Sequence, residues 1–196
     1  MRVTNVAGRP TFSAEAPSPK CHTRCVYPLT TSRLRLIPAS TDLLDADFAS
    51  QTSGNDAALR FLLSVNAVSE WPPVGSGHDI GALEFFRSKL VASPFSEEWY
   101  AYYVCLGKEL VGSAGFFGPP SGGDVEIGYS ICSAFRRQGI ASEAVEALAR
   151  KAKQFGVETM SARTLPDNRA SIDLLLKAGF DEEVSDDEHR LFRKSL

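Results

Sequence analysis

No apolar run in this chain comes near the roughly 20 residues that a bilayer-spanning helix needs, so no membrane partner is expected. Arg2 and Arg9 stand near the N-terminus without an apolar stretch behind them, and a secretory signal is not expected either. Cysteine is scarce. Cys21 and Cys25 lie in the N-terminal segment, Cys105 in a strand-like run and Cys132 just before a glycine turn. That scatter is no disulfide framework and suits a reducing, cytoplasmic setting. Cys21-His22-x-x-Cys25 has metal-ligand residue types, but no second pair follows at zinc-finger distance, so no metal is assigned. Positive charge is not in excess: 21 Lys and Arg against 24 Asp and Glu leave a formal net charge of −3. Non-specific nucleic-acid binding, which needs clustered cations, is therefore not expected. A Walker lysine motif is missing. Gly112, Gly115 and Gly118 do not form a dinucleotide fingerprint, because Pro119 and Pro120 follow where a helix should open. Neither ATP nor NAD is expected.

What remains is an ordinary globular composition, 43% hydrophobic and 23% charged, in 196 residues. That length supports one domain with a real core. Residues 1–29 mix Pro10, Pro17, Pro19 and Pro28 with Ser, Thr and Arg and show no periodicity. They read as an extended or disordered segment ahead of a domain spanning residues 30–196. A monomer and a homodimer are both compatible with the sequence.

Residues 124–155 organise the domain. Val125, Ile127, Tyr129 and Ile131 alternate with Glu126, Gly128 and Ser130, the period of a pleated strand. After Arg136-Arg137-Gln138-Gly139 the period lengthens, and Ala141, Val145, Leu148, Ala149 and Ala152 recur at helical spacing. A strand thus runs through a basic, glycine-bearing turn into a helix. The first turn of such a helix has free N–H groups and the positive end of the dipole, which together attract an anion such as phosphate.

Around this centre the other elements fall into place. Leu34 to Ile37 predicts a first strand stopped by Pro38, and Ser40 or Thr41 caps a helix broken at Gly54. A second helix carries Leu59, Leu62 and Leu63, and Asp79 caps a third with Leu83, Phe86 and Leu90 inward. Between them, Trp71 precedes two prolines; it serves either as a plug closing the core or as a wall of an acceptor pocket. Trp99 to Leu106 and Glu109 to Phe117 predict a hairpin about Gly107-Lys108. Val157 to Thr164 predicts a strand, Asn168 to Ala178 a helix closed by Gly179, and Phe180 to Val184 with Leu191 to Arg193 a final hairpin. The class is α/β (α+β): a mixed sheet with helices packed on it.

Arg136, Gly139 and Ala141 stand at the spacing Arg-x-x-Gly-x-Ala, which resembles the acyl-CoA loop of the GCN5-related N-acetyltransferase (GNAT) superfamily. Asn168, Ser171, Lys177, Gly179 and Phe180 resemble a second segment of that superfamily. With Thr31-Ser-Arg-Leu-Arg-Leu and Val125-Glu-Ile-Gly-Tyr, the chain over residues 31–194 is similar to the RimJ/RimL-like branch, which includes ribosomal-protein alanine N-acetyltransferases. The resemblance implies a mostly antiparallel sheet with a splayed central strand and helices on both faces. It implies acetyl-CoA as co-substrate and an amine acceptor, either a protein N-terminus or a small molecule.

Candidate roles follow. Backbone amides of Arg137, Gln138, Gly139, Ile140, Ala141 and Ser142, with the Arg136 side chain, would hold the diphosphate of coenzyme A. Ile131, Cys132 and Ser133 would meet the pantetheine arm, as would Asn168, which can also cap its helix. Glu126 is the candidate base for the acceptor amine, with Gly128 leaving room beside it; alternatively it orients the amine or pairs with an arginine. Much of the superfamily has a tyrosine four residues before the closing glycine to protonate the leaving thiolate. Here that position is Leu175. Ser171 is the nearest matching polar residue, with catalysis and helix packing as its two readings. Tyr129 lies on the core face and reads as structural. Glu70, Asp79, Glu97 and Glu98 flank the acceptor side and would suit a cation. Leu175 also leaves open a second function, an acyl-CoA-binding module without catalysis that acts as a sensor or interaction protein.

Overall fold

One sheet, ordered β1-β2-β3-β4-β5-β6-β8-β7, carries the described residues, which are 27–68, 70–74, 78–93, 96–183 and 188–196 of a computed structural model. The expected N-terminal segment, with Cys21 and Cys25, lies almost wholly outside them. The strands are β1 (Leu29–Thr30), β2 (Leu34–Pro38), β3 (Ala101–Leu106), β4 (Glu109–Phe116), β5 (Asp124–Ile131), β6 (Thr159–Thr164), β7 (Asp181–Glu182) and β8 (Arg190–Ser195). All neighbours are antiparallel except β5 and β6.

Helices cover both faces, as the apolar periods require. On one side lie α1 (Thr41–Ser53), α2 (Ala57–Leu63) and α3 (Ile80–Ala92), which bury Leu43, Leu44, Leu59, Leu83 and Phe86 against Tyr100, Tyr103 and Cys105. On the other, α4 (Ile140–Gln154) and α5 (Arg169–Lys177) bury Val145, Leu148, Ile172 and Leu175 against Tyr102, Val125, Ile127 and Phe192. The caps match the side chains that supply them. Ser40 Oγ accepts from the Leu43 amide at 3.2 Å, and Asp79 Oδ1 from the Ala82 amide at 3.0 Å. α1 ends at Gly54, whose φ of 71° a side chain would resist. The strand expected from Trp99 instead starts at Ala101, because Glu97–Trp99 winds into a 3-10 turn.

That turn is tied to α4 from beneath. The Lys151 ammonium lies 3.1 Å from Glu98 Oε2, both side chains buried, and 4.6 Å from the centre of the Phe155 ring. Lys151→Ala takes the ammonium from a buried carboxylate and its packing from Phe155, and is expected to destabilise the fold by about 3–5 kcal/mol in urea denaturation. The double change Lys151→Met with Glu98→Leu is expected to recover most of that, since neither charge then needs a partner.

The sheet opens where β5 leaves β6. They pair only from Asp124 opposite Thr159 to Ile127 opposite Ala162. Beyond this, β5 keeps its partner β4 up to Ile131 opposite Gly112, and β6 keeps β8 up to Thr164 opposite Arg190. The two central strands therefore diverge after Ile127, leaving a V-shaped gap at their C-terminal ends.

Candidate active site

Two departures from ordinary backbone, with Gln138 between them, shape the loop before α4. Arg137 has φ 59° and Gly139 φ 77°. These left-handed residues turn successive N–H groups to one side, the geometry of an anion-binding nest. Among the described residues no protein group accepts a hydrogen bond from the amides of Arg137 to Ser142, and α4 has no side-chain cap. These amides stand at the positive end of a 15-residue helix, a setting that suits an anion.

Side chains far away in sequence hold this loop. Glu143, in the first turn of α4, receives hydrogen bonds from the Thr31 hydroxyl, from Ser32 Oγ at 3.2 Å and from Arg33 Nε at 2.7 Å. Arg33 Nη1 also donates to the Gln138 carbonyl at 3.1 Å. Burial pushes the Glu143 carboxyl up, but the Thr31 and Arg33 bonds outweigh it and hold the group below its ordinary value. The charge that would otherwise oppose an anion is turned away and neutralised. Sequence reasoning used Thr31 to Leu36 as a likeness and as the start of a strand, and missed this clamp. Arg136 Nε donates to the Ile131 carbonyl at 2.9 Å, which fastens the loop to the end of β5 and leaves its two terminal nitrogens clear of that bond.

The gap is lined differently by its three expected residues. In β5 the pairing alternates: Phe117 N–H bonds to the Glu126 carbonyl and Cys132 N–H to the Val111 carbonyl, both on the β4 side. Tyr129 and Ile131 therefore turn their N–H groups toward the gap. Cys132 does not. Its thiol contacts the Glu70 carbonyl at 3.6 Å, and burial, with the Glu70 carboxylate nearby, pushes it up to about 11, so it is no nucleophile near neutrality. The Ser133 hydroxyl is spent on Glu70 Oε2 at 2.5 Å. Asn168 caps α5, its Oδ1 accepting from the Ser171 amide at 3.2 Å.

Ser171 and Tyr129 meet across the gap with their oxygens 2.8 Å apart. The period-two reading put Tyr129 on the core face, which it occupies, but the core ends where the strands part and its hydroxyl stands at that edge. Burial raises the phenol's pKa, with the Ser171 bond opposing. Leu175 is 0% exposed and offers no acid.

Glu126, Gly128 and Ser130 face the α3 side, where a cavity of about 360 Å³ lies between α3 and β4–β5. Arg163 Nη2 stands 3.7 Å from Glu126 Oε2, the arginine pairing allowed for in the sequence. The room expected over Gly128 is filled: a Cβ there would lie 3.0 Å from the Phe117 ring. Trp71 does not line the cavity. Its indole N–H donates to Asp47 Oδ1 at 2.7 Å and its ring meets His78 edge-on at 4.7 Å, so it closes the core. Asp47, 0% exposed, also bonds His78 Nε2 at 2.8 Å, the Tyr103 hydroxyl at 2.9 Å and Gln51 Nε2 at 3.1 Å. Burial pushes this carboxyl up, but the His78, Trp71 and Gln51 bonds more than offset it and its pKa is lowered. A lowered carboxylate contributes stability above its unfolded value of about 3.9, and that contribution is lost as pH falls through the folded value. Asp47→Ala is expected to cost about 3 kcal/mol or more in urea, with a weaker loss of stability on acidification than the parent shows.

Of the acidic residues expected on the acceptor side, all but Glu97 are otherwise engaged; Glu97 Oε2 is buried without a hydrogen-bond partner among the described residues. Glu70 Oε2 also accepts from the Ala134 amide at 3.2 Å, Asp79 caps α3, and Glu98 is buried with Lys151. Among the described residues no group of three or more His, Cys, Asp or Glu could hold a metal ion, and no helix is long and apolar enough to cross a membrane.

Comparison with known proteins agrees with this geometry. The family model for the acetyltransferase (GNAT) domain matches residues 33–181. An uncharacterised N-acetyltransferase of Bacillus subtilis, YjdG, is 31% identical over 156 residues, covering 78% of this chain and 88% of the relative. Among solved structures, a putative ribosomal-protein-serine acetyltransferase from Vibrio cholerae superposes with a TM-score of 0.57 at 20% identity, covering 87% of this chain and 98% of its own. RimL, a ribosomal L7/L12 alpha-N-protein acetyltransferase solved with coenzyme A, gives 0.55 at 17% identity, covering 86% and 98%. With the family model spanning most of the domain, and with the open amide nest and parted strands described above, this chain belongs to the GNAT acetyltransferase family.

Proposed function

We propose that the protein transfers an acetyl group from acetyl-CoA to a primary amine by direct attack within a ternary complex. The row of unbonded amides from Arg137 to Ser142, beside the open end of β5, carries this reading. It is supported by family membership, by the name of the B. subtilis relative and by the coenzyme A bound in RimL.

Acetyl-CoA supplies an activated acyl group; the chain supplies position, proton transfer and charge. The nest and the Arg136 guanidinium would bind the diphosphate, and the gap-facing amides of Tyr129 and Ile131, with Asn168, would seat the amide-rich arm. An alkylammonium, with a pKa near about 10.4, must lose a proton before its nitrogen can attack. Glu126 would take that proton, directly or through a water, Arg163 yielding its place to the incoming amine. As the nitrogen–carbon bond forms, strand N–H groups would stabilise the charge developing on the carbonyl oxygen. As the carbon–sulfur bond breaks, Ser171 would give its proton to the sulfur and recover one from the Tyr129 hydroxyl, which takes its own back from solvent, while the extra proton on the new amide nitrogen passes to water.

The test is thiol release from acetyl-CoA across an amine panel. Amine-dependent release with the acetylated amine as product is expected. Tight coenzyme A binding with no turnover on any amine would instead make this a binding module.

A further inference from the structure

Building on the N-acetyltransferase reading, we infer that the acceptor is a primary amine borne on a single bulky apolar group, and that the cavity between α3 and β4–β5 receives that group. Its walls are aromatic. Phe85 and Phe86 of α3 stand 5.4 Å apart edge to face, and Phe86 stacks with Phe117 at 6.5 Å. Phe85 is 43% exposed and Phe117 51%, so two rings that burial would favour are left partly in water. Gly115 and Gly128 line it on the sheet side, where Phe117 lies over Gly128 and the Tyr100 backbone over Gly115.

Charge decides against a polycation. Among the described residues no carboxylate lines the cavity; its members with polar side chains are His78, Ser113, Tyr129 and Ser130. Of the carboxylates on this side, Asp79 is used on its helix cap, Asp47 on His78 and Trp71, and Glu70 on Ser133 and Ala134, while Glu97, whose Oε2 has no hydrogen-bond partner among the described residues, does not line the cavity. At the Phe85 rim the charge is positive, with Lys89 Nζ 5.2 Å from the ring centre. A polyamine or aminosugar would lose water from its further ammonium groups with nothing to replace it. One carboxylate suits one amine: Glu126 shares the face of Gly128 two residues along β5, about 7 Å from it at strand rise. That separation fits an amine at Glu126 with an adjacent side group on the rings. At about 360 Å³ the space is near the lower end of small-molecule sites, which run from about 300 to 1,000 Å³. It suits one ring or one branched aliphatic group.

The experiment measures thiol release by the full chain with phenylalaninamide, leucinamide, alaninamide, spermidine and the peptide Phe-Ala-Ala. The bulky apolar amides are expected to exceed alaninamide in kcat/KM by about tenfold or more, with spermidine lowest. The ratio of Phe-Ala-Ala to phenylalaninamide tells a polypeptide N-terminus from a free amine; the inference stands with either. Phe117→Ala and, separately, Phe85→Ala are expected to narrow the phenylalaninamide-to-alaninamide ratio to within about threefold, mainly through KM. Robust turnover that favours alaninamide or spermidine would overturn the inference and leave N-acetyl transfer standing. No turnover on any amine, with coenzyme A still bound, would overturn both.

Discussion

Replacing Ser142 with Glu is expected to weaken acetyl-CoA binding about a hundredfold while leaving the fold as stable as before, or slightly more so. Gly139 is the N-cap of α4 and Ser142 the third helical residue, where a glutamate reaches back to the N-cap amide in a capping box. The new carboxylate would satisfy an amide that has no protein acceptor among the described residues, and a negative group in the first turn favours the helix by about 0.3–1 kcal/mol. The same carboxylate opposes the diphosphate. A hydrogen bond to a charged group contributes about 1.5–3 kcal/mol, and two like charges about 4 Å apart repel by about 4 kcal/mol at an effective dielectric near 20. A hundredfold loss is about 2.7 kcal/mol, less than the two effects together. Calorimetric titration gives the affinity and thermal melting the stability. Ser142→Gln, nearly the same size without the charge, is expected to bind within several-fold of the parent. Unchanged affinity in Ser142→Glu would mean that the anion sits elsewhere.

Glu143 shows why position matters more than charge count. It is one residue further along, already negative, and does not fill the nest because Thr31, Ser32 and Arg33 draw it outward. Arg33→Ala is expected to release it and raise the KM for acetyl-CoA about tenfold, an effect that salt screening should reduce.

Features set by neighbours in the chain were legible in the sequence. The alternation of Val125 to Ile131, the change of period after Gly139 and the caps at Ser40, Asp79 and Asn168 each depend on a few adjacent residues, and each element forms there. The nest is of this kind, because its amides belong to consecutive residues. What escaped the sequence depends on which distant elements meet. Thr31 and Glu143 are 112 residues apart, Asp47 and Trp71 24, and Tyr129 and Ser171 42. Trp71 had two roles open until Asp47 proved to bind its indole N–H from within α1. Phe117 continues the alternation of β4, and only the register against β5 brings it over Gly128. Acidic residues mislead most from sequence, since a cap, a buried pair and a loop tether look alike as letters.

Ser171→Ala is expected to lower kcat about a hundredfold, the lower end for loss of a positioned acid or base, with the KM for acetyl-CoA within a few-fold. The fold should survive, because Asn168 caps α5 through the backbone amide of residue 171, which alanine retains. Tyr129→Phe should have a smaller effect, about tenfold, since the Ser171 hydroxyl remains and loses only its partner. The pH dependence separates this pair from the base. Burial raises the Tyr129 phenol above its ordinary 10.0 despite the Ser171 bond, so it stays protonated where a free tyrosine would ionise. As a proton source it is active in the protonated form, and the raised pKa carries that form to higher pH. The rate should therefore climb with deprotonation of the amine, near about 8 for an N-terminal amine and about 10.4 for an alkylamine, with no alkaline fall from Tyr129 below pH 10. Ser171→Thr, which keeps a hydroxyl, should recover most of the lost kcat if proton donation is the role. Recovery by alanine instead, with kcat at the parent value, would leave solvent to protonate the departing sulfur and confine Ser171 to packing.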